Sequence, residues 1–392
     1  MANMNRFALR KRAEKLSRYF DYNLIVIVAF LLAFGMVMIY STSSYDAYIS
    51  FTDPSYYFRK QIFATIAGLI FMIFIALVPY HFWEHTAGIA YIVSIVLIFL
   101  IIPFGYEANG AKRWIRIFGI SMQPAEVAKI AMIIFLACII TRMGKNASTR
   151  AGFLWIMVSV APISVLLWIV TSNLSSAIIV AAIAFVMLFV STPGYKRYLF
   201  ITLGVIVLAA IIVLVIASNA STVEAGDMGG YRGTRILAWL DPEAYASGKG
   251  FQTLQALYAI GSGGLFGKGL GNSIQKLGFL PEAQNDMIFS VVCEELGLFG
   301  ALAVILLFIL LIWRLKQIAD HAPDLFGALL VVGVMGHIAL QVILNIAVVT
   351  NMIPNTGISL PFISYGGSAS FFLLGEIGLC LSVARGIRVR DY

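Results

Sequence analysis

Leu280-Pro281-Glu282-Ala283-Gln284-Asn285-Asp286-Met287-Ile288-Phe289 sets two carboxylates directly before an apolar run that continues to Trp313. A run of that length exceeds the roughly 20 residues needed to cross hydrocarbon, so the acids stand at the lip of a membrane. Nine further runs read the same way: Leu24 to Tyr40, Ile62 to Val78, Ala87 to Pro103, Ala125 to Thr141, Phe153 to Val170, Ser172 to Val190, Leu199 to Ala217, Leu325 to Thr350 and Ala369 to Ala384. With 60% hydrophobic and only 12% charged residues, the composition excludes an ordinary soluble globule. The runs lack the two-residue alternation of barrel strands, and unpaired backbone is too costly in lipid. The expected fold class is therefore all-α and polytopic, about ten transmembrane helices with a large external loop between spans 7 and 8.

Basic residues orient the chain. With both termini inside, the cytoplasmic segments collect Arg6, Arg10, Lys11, Arg12, Lys15 and Arg18, then Arg142, Lys145 and Arg150, Lys196 and Arg197, Arg314 and Lys316, and Arg385, Arg388 and Arg390. That places residues 1–23 as a basic cytoplasmic N-terminus, 24–384 as a single membrane domain whose external loop is 218–286, and 385–392 as a cytoplasmic tail. The net charge of +8 then reflects topology and attraction to anionic lipid, not binding of nucleic acid. No small-residue cleavage site follows the N-terminal basic cluster, so the first span is expected to be retained. Cys138, Cys293 and Cys380 fall in apolar spans without metal-ligand spacing. No fixed-period repeat announces a transporter of duplicated halves.

Candidate chemistry concentrates on one side. Arg232 and Arg235 are three apart, so on a helix their guanidinium groups share a face suited to phosphate; two solvated loop cations fit the sequence equally well. Gln123-Pro124-Ala125-Glu126-Val127-Ala128-Lys129 brings Glu126 and Lys129 onto one face at a helix start, either as part of a site or as a structural ion pair. Lys112 and Arg113, within Asn109-Gly110-Ala111-Lys112-Arg113-Trp114, break the positive-inside bias and so invite an anionic ligand. In the last external loop, Pro361, Ser364, Tyr365, Gly366 and Gly367 mark a re-entrant segment lining a cavity.

Two motifs mislead. Gly261-Ser262-Gly263-Gly264-Leu265-Phe266-Gly267-Lys268-Gly269 lacks the first glycine and the final Ser or Thr of a P-loop, so its glycines are expected to turn the backbone or allow close approach. His81-Phe82-Trp83-Glu84-His85 matches an inverted zinc-protease pattern without a third ligand, and interfacial anchoring explains it more simply.

Taken in order, Asn109-Gly110-Ala111-Lys112-Arg113-Trp114, Gln123-Pro124-Ala125-Glu126 with Lys129, Gly269-Leu270-Gly271-Asn272-Ser273, Leu280-Pro281-Glu282-Ala283 with Asp286, Glu294-Glu295-Leu296-Gly297 and Pro361-Phe362-Ile363-Ser364-Tyr365-Gly366-Gly367-Ser368 span almost the whole chain. Together they resemble the SEDS family of bacterial cell-wall polymerases, and within it the division protein FtsW and its sporulation relatives more than the elongation protein RodA. The resemblance implies a ten-helix peptidoglycan glycosyltransferase in the bacterial cytoplasmic membrane, polymerising lipid II at the outer face. It also implies a class B penicillin-binding transpeptidase and other divisome or elongasome membrane proteins as partners. Asp286 matches the family's essential acid. Gln284 stands where many members have His, so no general catalytic task can belong to that imidazole.

Joining two lipid-linked disaccharides needs one base for the acceptor 4-hydroxyl and positive charge around a departing diphosphate. Asp286 is expected as that base, with Lys112, Arg113, Arg232 and Arg235 steadying the diphosphate, and Gln123, Glu126, Lys129, Glu282, Ser364 and Tyr365 around the substrate. A divalent cation, Mg or Mn, could share the phosphate charge, though no ligand cluster demands one. Asp286 also stands where a helix starts and serves equally well as an N-cap. The alternative function is a flippase or other transporter of anionic lipid, with Glu126, Lys129 and Glu376 lining its path.

Overall fold

The computed structural model describes residues 21–108, 111–117, 120–220, 230–248 and 250–387. Residues 1–20, Glu224, Asp227, the side chain of Arg232, and Arg388 and Arg390 lie outside them. Ten helices are long and apolar enough to cross a membrane. They are α1 (Tyr22–Phe51), α2 (Tyr56–Leu77), α3 (His81–Phe104), α4 (Pro124–Met143), α5 (Arg150–Ile169), α6 (Leu174–Ser191) and α7 (Tyr195–Ser218). Two shorter helices, α8 (Gly230–Leu240) and α9 (Phe251–Gly263), precede the last three, α10 (Ile288–Asp320), α11 (Leu325–Val349) and α12 (Gly367–Ala384). The expected helical polytopic class holds, and each expected run lies within its helix to within two residues at the ends.

Several boundaries differ. The first helix runs eleven residues past Tyr40 because Ser41, Thr42 and Ser43 are buried against protein and not left in lipid, so their hydroxyls do not end it. The expected loop 218–286 carries α8 and α9. Between α3 and α4 lies a small antiparallel sheet, β1 (Gly105–Ala108), β2 (Ala111–Ile117) and β3 (Ile120–Met122), in the order β1-β2-β3. The alternation in Lys112, Arg113, Trp114, Ile115 and Arg116 fits a strand with one buried position, Ile115.

Helices α11 and α12 form the centre of the bundle. On α12, Gly375 and Gly378 let α2 approach until an added Cβ at Gly378 would sit 2.6 Å from the Met72 carbonyl. Small residues replace the missing hydrophobic drive between helices in lipid. Helix α7 is the opposite case: apolar all round, it has only Tyr198 buried.

The longest spanning helix, α10, is broken at Gly297 (φ 66°, ψ −164°). A break at membrane depth frees backbone groups that lipid cannot satisfy. The segment after α9 supplies the partners: the Lys268 and Gly269 amides donate to the Glu294 and Glu295 carbonyls at 3.0 and 2.9 Å, and the Leu298 amide donates to the Gly264 carbonyl at 3.0 Å. The glycine run therefore does approach closely, but its ligand is a helix backbone. Charge closes the same junction. Lys268 Nζ is 2.7 Å from Glu294 Oε1, Lys276 Nζ is 2.6 Å from Glu295 Oε1, and Ser41 of α1 donates to Glu295 at 2.7 Å. The Asp21 carboxylate caps α1 at the Leu24 amide and pairs with Arg314 Nε at 2.9 Å, tying α1 to the far end of α10.

Gly267 has φ 77°, and a Cβ there would lie 2.2 Å from the Glu295 carbonyl oxygen. Gly267→Ala is expected to destabilise the protein by about 2 kcal/mol or more, read as a lower thermal unfolding midpoint in detergent. An unchanged midpoint would show that the junction yields.

Candidate active site

Asp286 lies in the turn before α10. The helix's N-cap is Met287, which makes no side-chain capping bond, and Asp286 Oδ1 has no hydrogen-bond partner. The capping explanation for this residue is therefore set aside. Its place is held by backbone: the Tyr365 amide donates to the Gln284 carbonyl at 2.8 Å, Ser364 Oγ donates to the Asn285 carbonyl at 2.7 Å, and Asn345 Nδ2 donates to the Asp286 carbonyl at 2.7 Å. Asn345 also donates to the Ile358 carbonyl at 2.7 Å, while Ser364 Oγ accepts the Leu360 amide at 2.8 Å. Three consecutive carbonyls are thus fixed by α11 and by the loop between α11 and α12. That loop is folded inward, with Ile358 and Leu360 to Ser364 buried, as a re-entrant segment requires.

Burial has a chemical effect. Asp286 is 8% exposed, and loss of water raises its pKa from 3.8 to about 7, helped by the nearby Glu282 carboxylate and opposed by the Arg235 guanidinium. Glu282 takes a left-handed conformation (φ 56°), accepts a hydrogen bond from Asn285 Nδ2, and so faces the same turn. Arg235, on α8, donates from Nη1 to the Asn355 carbonyl at 3.2 Å. It lines a cavity of about 190 Å³ with Trp239, Phe251, Gln252, Pro281 and Asn355. The cavity opens beside the Asp286 turn, since Pro281 belongs to both.

The other candidates divide. Tyr365 packs edge-on against Tyr57, and burial raises its hydroxyl pKa to about 12, with Tyr57, Tyr56 and Tyr106 adding to the shift, so it stays protonated. Glu126 and Lys129 form a buried pair at 2.8 Å on α4, whose N-cap is Gln123. Arg113 is engaged elsewhere: its Nε and Nη2 reach the Thr171 and Ser172 carbonyls at 3.3 and 3.1 Å, where α5 ends. Lys112 is exposed on β2. Arg232 lies in the first turn of α8, three residues before Arg235. Gln284 Nε2 donates to Asp46 Oδ2 at 3.3 Å, a contact to α1 that needs no imidazole. His81 pairs with Asp324 at 3.0 Å instead of joining His85 around a metal. Sequence reasoning missed Asn345, which carries two of the site's backbone bonds. Its signal was available in the polar spacing His337, Gln341 and Asn345, four residues apart inside an apolar helix.

A polytopic helical membrane protein with one buried, near-neutral acid beside a basic cavity is the class these features define. The family model described as "Cell cycle protein" (FTSW_RODA_SPOVE) matches residues 22–388, and the chain belongs to that family. It is 39% identical over 368 residues to "Stage V sporulation protein E" of Bacillus subtilis, covering 93% of this chain and 97% of that one. It is 36% identical over 382 residues to the "Probable peptidoglycan glycosyltransferase FtsW" of Trichlorobacter lovleyi, covering 97% and 96%. Among solved structures, one described as "Structural coordination of polymerization and crosslinking by a peptidoglycan synthase complex" aligns with a TM-score of 0.75 at 27% identity, covering 94% of this chain and 98% of that one. The rod shape determining protein RodA of Thermus thermophilus aligns with a TM-score of 0.68 at 26% identity, covering 94% and 97%.

Because the native pKa of Asp286 lies above its unfolded value, the native state binds that proton more tightly, and its stability falls as pH rises from about 4 to 7. Asp286→Asn removes this loss. The variant's unfolding midpoint relative to wild type is expected to climb across that window, and a constant difference would contradict the buried, raised carboxyl.

Proposed function

We propose that the chain, a peptidoglycan glycosyltransferase of this family, polymerises lipid II with Asp286 as general base. A base works best when its pKa lies near the working pH, and burial brings Asp286 to about 7; this single observation carries the reading. The carboxylate takes the proton of the acceptor's sugar hydroxyl as the oxygen attacks the donor's anomeric carbon, and the bond to the polyprenyl diphosphate breaks. Arg235 is the described cation nearest this chemistry, and with Arg232 it would hold the diphosphate. Lys112 is free to add charge from the sheet, whereas Arg113 would first have to leave two carbonyls. The cavity under Trp239 offers an aromatic wall and amides for a sugar ring.

A divalent cation, Mg or Mn, would enter on the diphosphate it neutralises, since no group of three or more His, Cys, Asp or Glu among the described residues could cage one. The site then faces outward from the cytoplasmic membrane, with both termini cytoplasmic, and serves division or cell shape. A class B penicillin-binding transpeptidase would crosslink the strands; similarity to a peptidoglycan synthase complex supports that partnership.

Transport of an anionic lipid is favoured by one observation, the buried ion pair Lys129–Glu126 together with the buried His337–Glu376 hydrogen bond inside the bundle. Detergent-solubilised lipid II distinguishes the readings, because no sidedness remains to transport across. Wild type is expected to make glycan strands, and Asp286→Asn to be slower by a factor of about 10² to 10⁴. Polymerisation at the wild-type rate by that variant would end the general-base assignment. Glu282→Gln, by removing a neighbouring negative charge, should move the acid limb of the rate profile below its midpoint near 7; an upward shift would contradict the electrostatic account.

A further inference from the structure

Four buried polar atoms without partners lie along one path: Asp286 Oδ1, Asn345 Oδ1, Gln341 Oε1 and His337 Nε2. The last three sit on α11 at intervals of four residues, so they form a single stripe one helical turn, about 6 Å, apart. Unpaired polar atoms this deep are costly, and buried water is their usual partner. Waters about 2.8 Å apart, each donating one hydrogen to an amide oxygen of the stripe and the other to the next water, make a file that passes a proton, which the amide oxygens alone cannot do. The outer end of the stripe is fastened to the site, because Asn345 Nδ2 holds the Asp286 carbonyl.

The inner end is a titratable pair. His337 Nδ1 lies 2.8 and 3.0 Å from the two oxygens of Glu376, and both side chains are essentially buried. A carboxylate can only accept, so Nδ1 carries the proton, and Nε2 is left as a bare acceptor facing the stripe. Around the imidazole stand Glu376 and, one turn on, Cys380 of α12, and from α4 the pair Lys129 and Glu126. The α4 pair is placed by the crossing of Gly333 on Ile133, where an added Cβ would lie 2.6 Å from the isoleucine. On these antiparallel helices, Lys129 and His337 are each one turn nearer the Asp286 face. Helix α6 brings no titratable group, α10 none between Glu295 and Arg314, and α9 only the exposed Tyr258.

We propose that this stripe holds a file of ordered water joining Asp286 to the His337–Glu376 pair, and that the pair stores the proton released in each glycosyl transfer. The proposal rests on Asp286 being the base. The acceptor O–H bond breaks as the C–O glycosidic bond forms, and the donor's C–O bond to diphosphate breaks with its electron pair leaving on the phosphate oxygen. The proton passes from Asp286 along the file to His337 Nε2, giving an imidazolium held by the Glu376 carboxylate. When the products leave, it returns outward to the diphosphate or to solvent.

Polymerisation by the full-length protein in detergent, measured across pH at saturating lipid II, tests this. Gln341→Leu, which interrupts the file, and His337→Asn, which removes the store, should each lower kcat tenfold or more with KM unchanged. Added imidazole buffer should restore the rate, because a diffusing base then takes the proton directly. Glu376→Gln, nearly isosteric, should behave the same way and serves if the other two do not fold. Variants that match wild type, or that unfold cooperatively yet lose activity no buffer restores, overturn the relay. Inactive Asp286→Asn beside normal stripe variants removes the relay alone; fully active Asp286→Asn removes the base and the relay together.

Discussion

Three consecutive carbonyls, those of Gln284, Asn285 and Asp286, each receive a donor from a different group: the Tyr365 amide, the Ser364 hydroxyl and the Asn345 amide. Irregular backbone at membrane depth survives only where protein satisfies it, so this stitching is what permits a non-helical turn beside the bundle. Everything chemical at the site hangs on it. The turn holds Asp286 out of water, and that burial, more than any neighbour, sets its pKa. The same bonds fold the loop from Ile358 to Tyr365 inward over the acid.

A second constraint meets the first along α10. The helix begins directly after Asp286 and breaks at Gly297, and the break is repaired by the segment that follows α9. Glu294 and Glu295 then bind Lys268, Lys276, Ser273 and Ser41, so that α1, the segment after α9 and α10 share one buried charge cluster. Buried ion pairs give little net stability against apolar replacements, but removing one partner strands a charge. Their effect here is positional: they set where the loop ahead of Asp286 starts, and so where Pro281, Glu282 and Arg235's cavity lie.

Much of this was legible from residue patterns. Ten apolar runs near membrane length were enough for ten helices, and the odd placement of Glu282 and Asp286 against an apolar wall pointed to the acid. Other parts were not legible, for physical reasons. Lys112 and Arg113 look alike as adjacent external cations, yet strand alternation turns one to solvent and the other to the end of α5. The glycines between Gly261 and Gly269 read as sites of tight turning or close approach, but the backbone they approach was not legible: a Cβ at Gly263 would meet the Cys293 carbonyl and one at Gly267 the Glu295 carbonyl, both distant in sequence. Whether Asp286 capped a helix or stood free depended on a helix start two residues away, finer than any span boundary read from hydropathy.

By itself the sequence determined the solvent: hydropathy and length demand lipid, and lipid demands helices, because a backbone without water must pair with itself. It also determined which groups could act, since charges are rare enough in such a chain for each to need a reason. Tertiary structure alone decided what those groups do. Pairing Lys129 with Glu126, leaving Asp286 Oδ1 unpartnered, and aligning Asn345, Gln341 and His337 inside the bundle all depend on which helix faces meet. A charge's reactivity follows from its desolvation and neighbours, and those are properties of packing that no single segment contains.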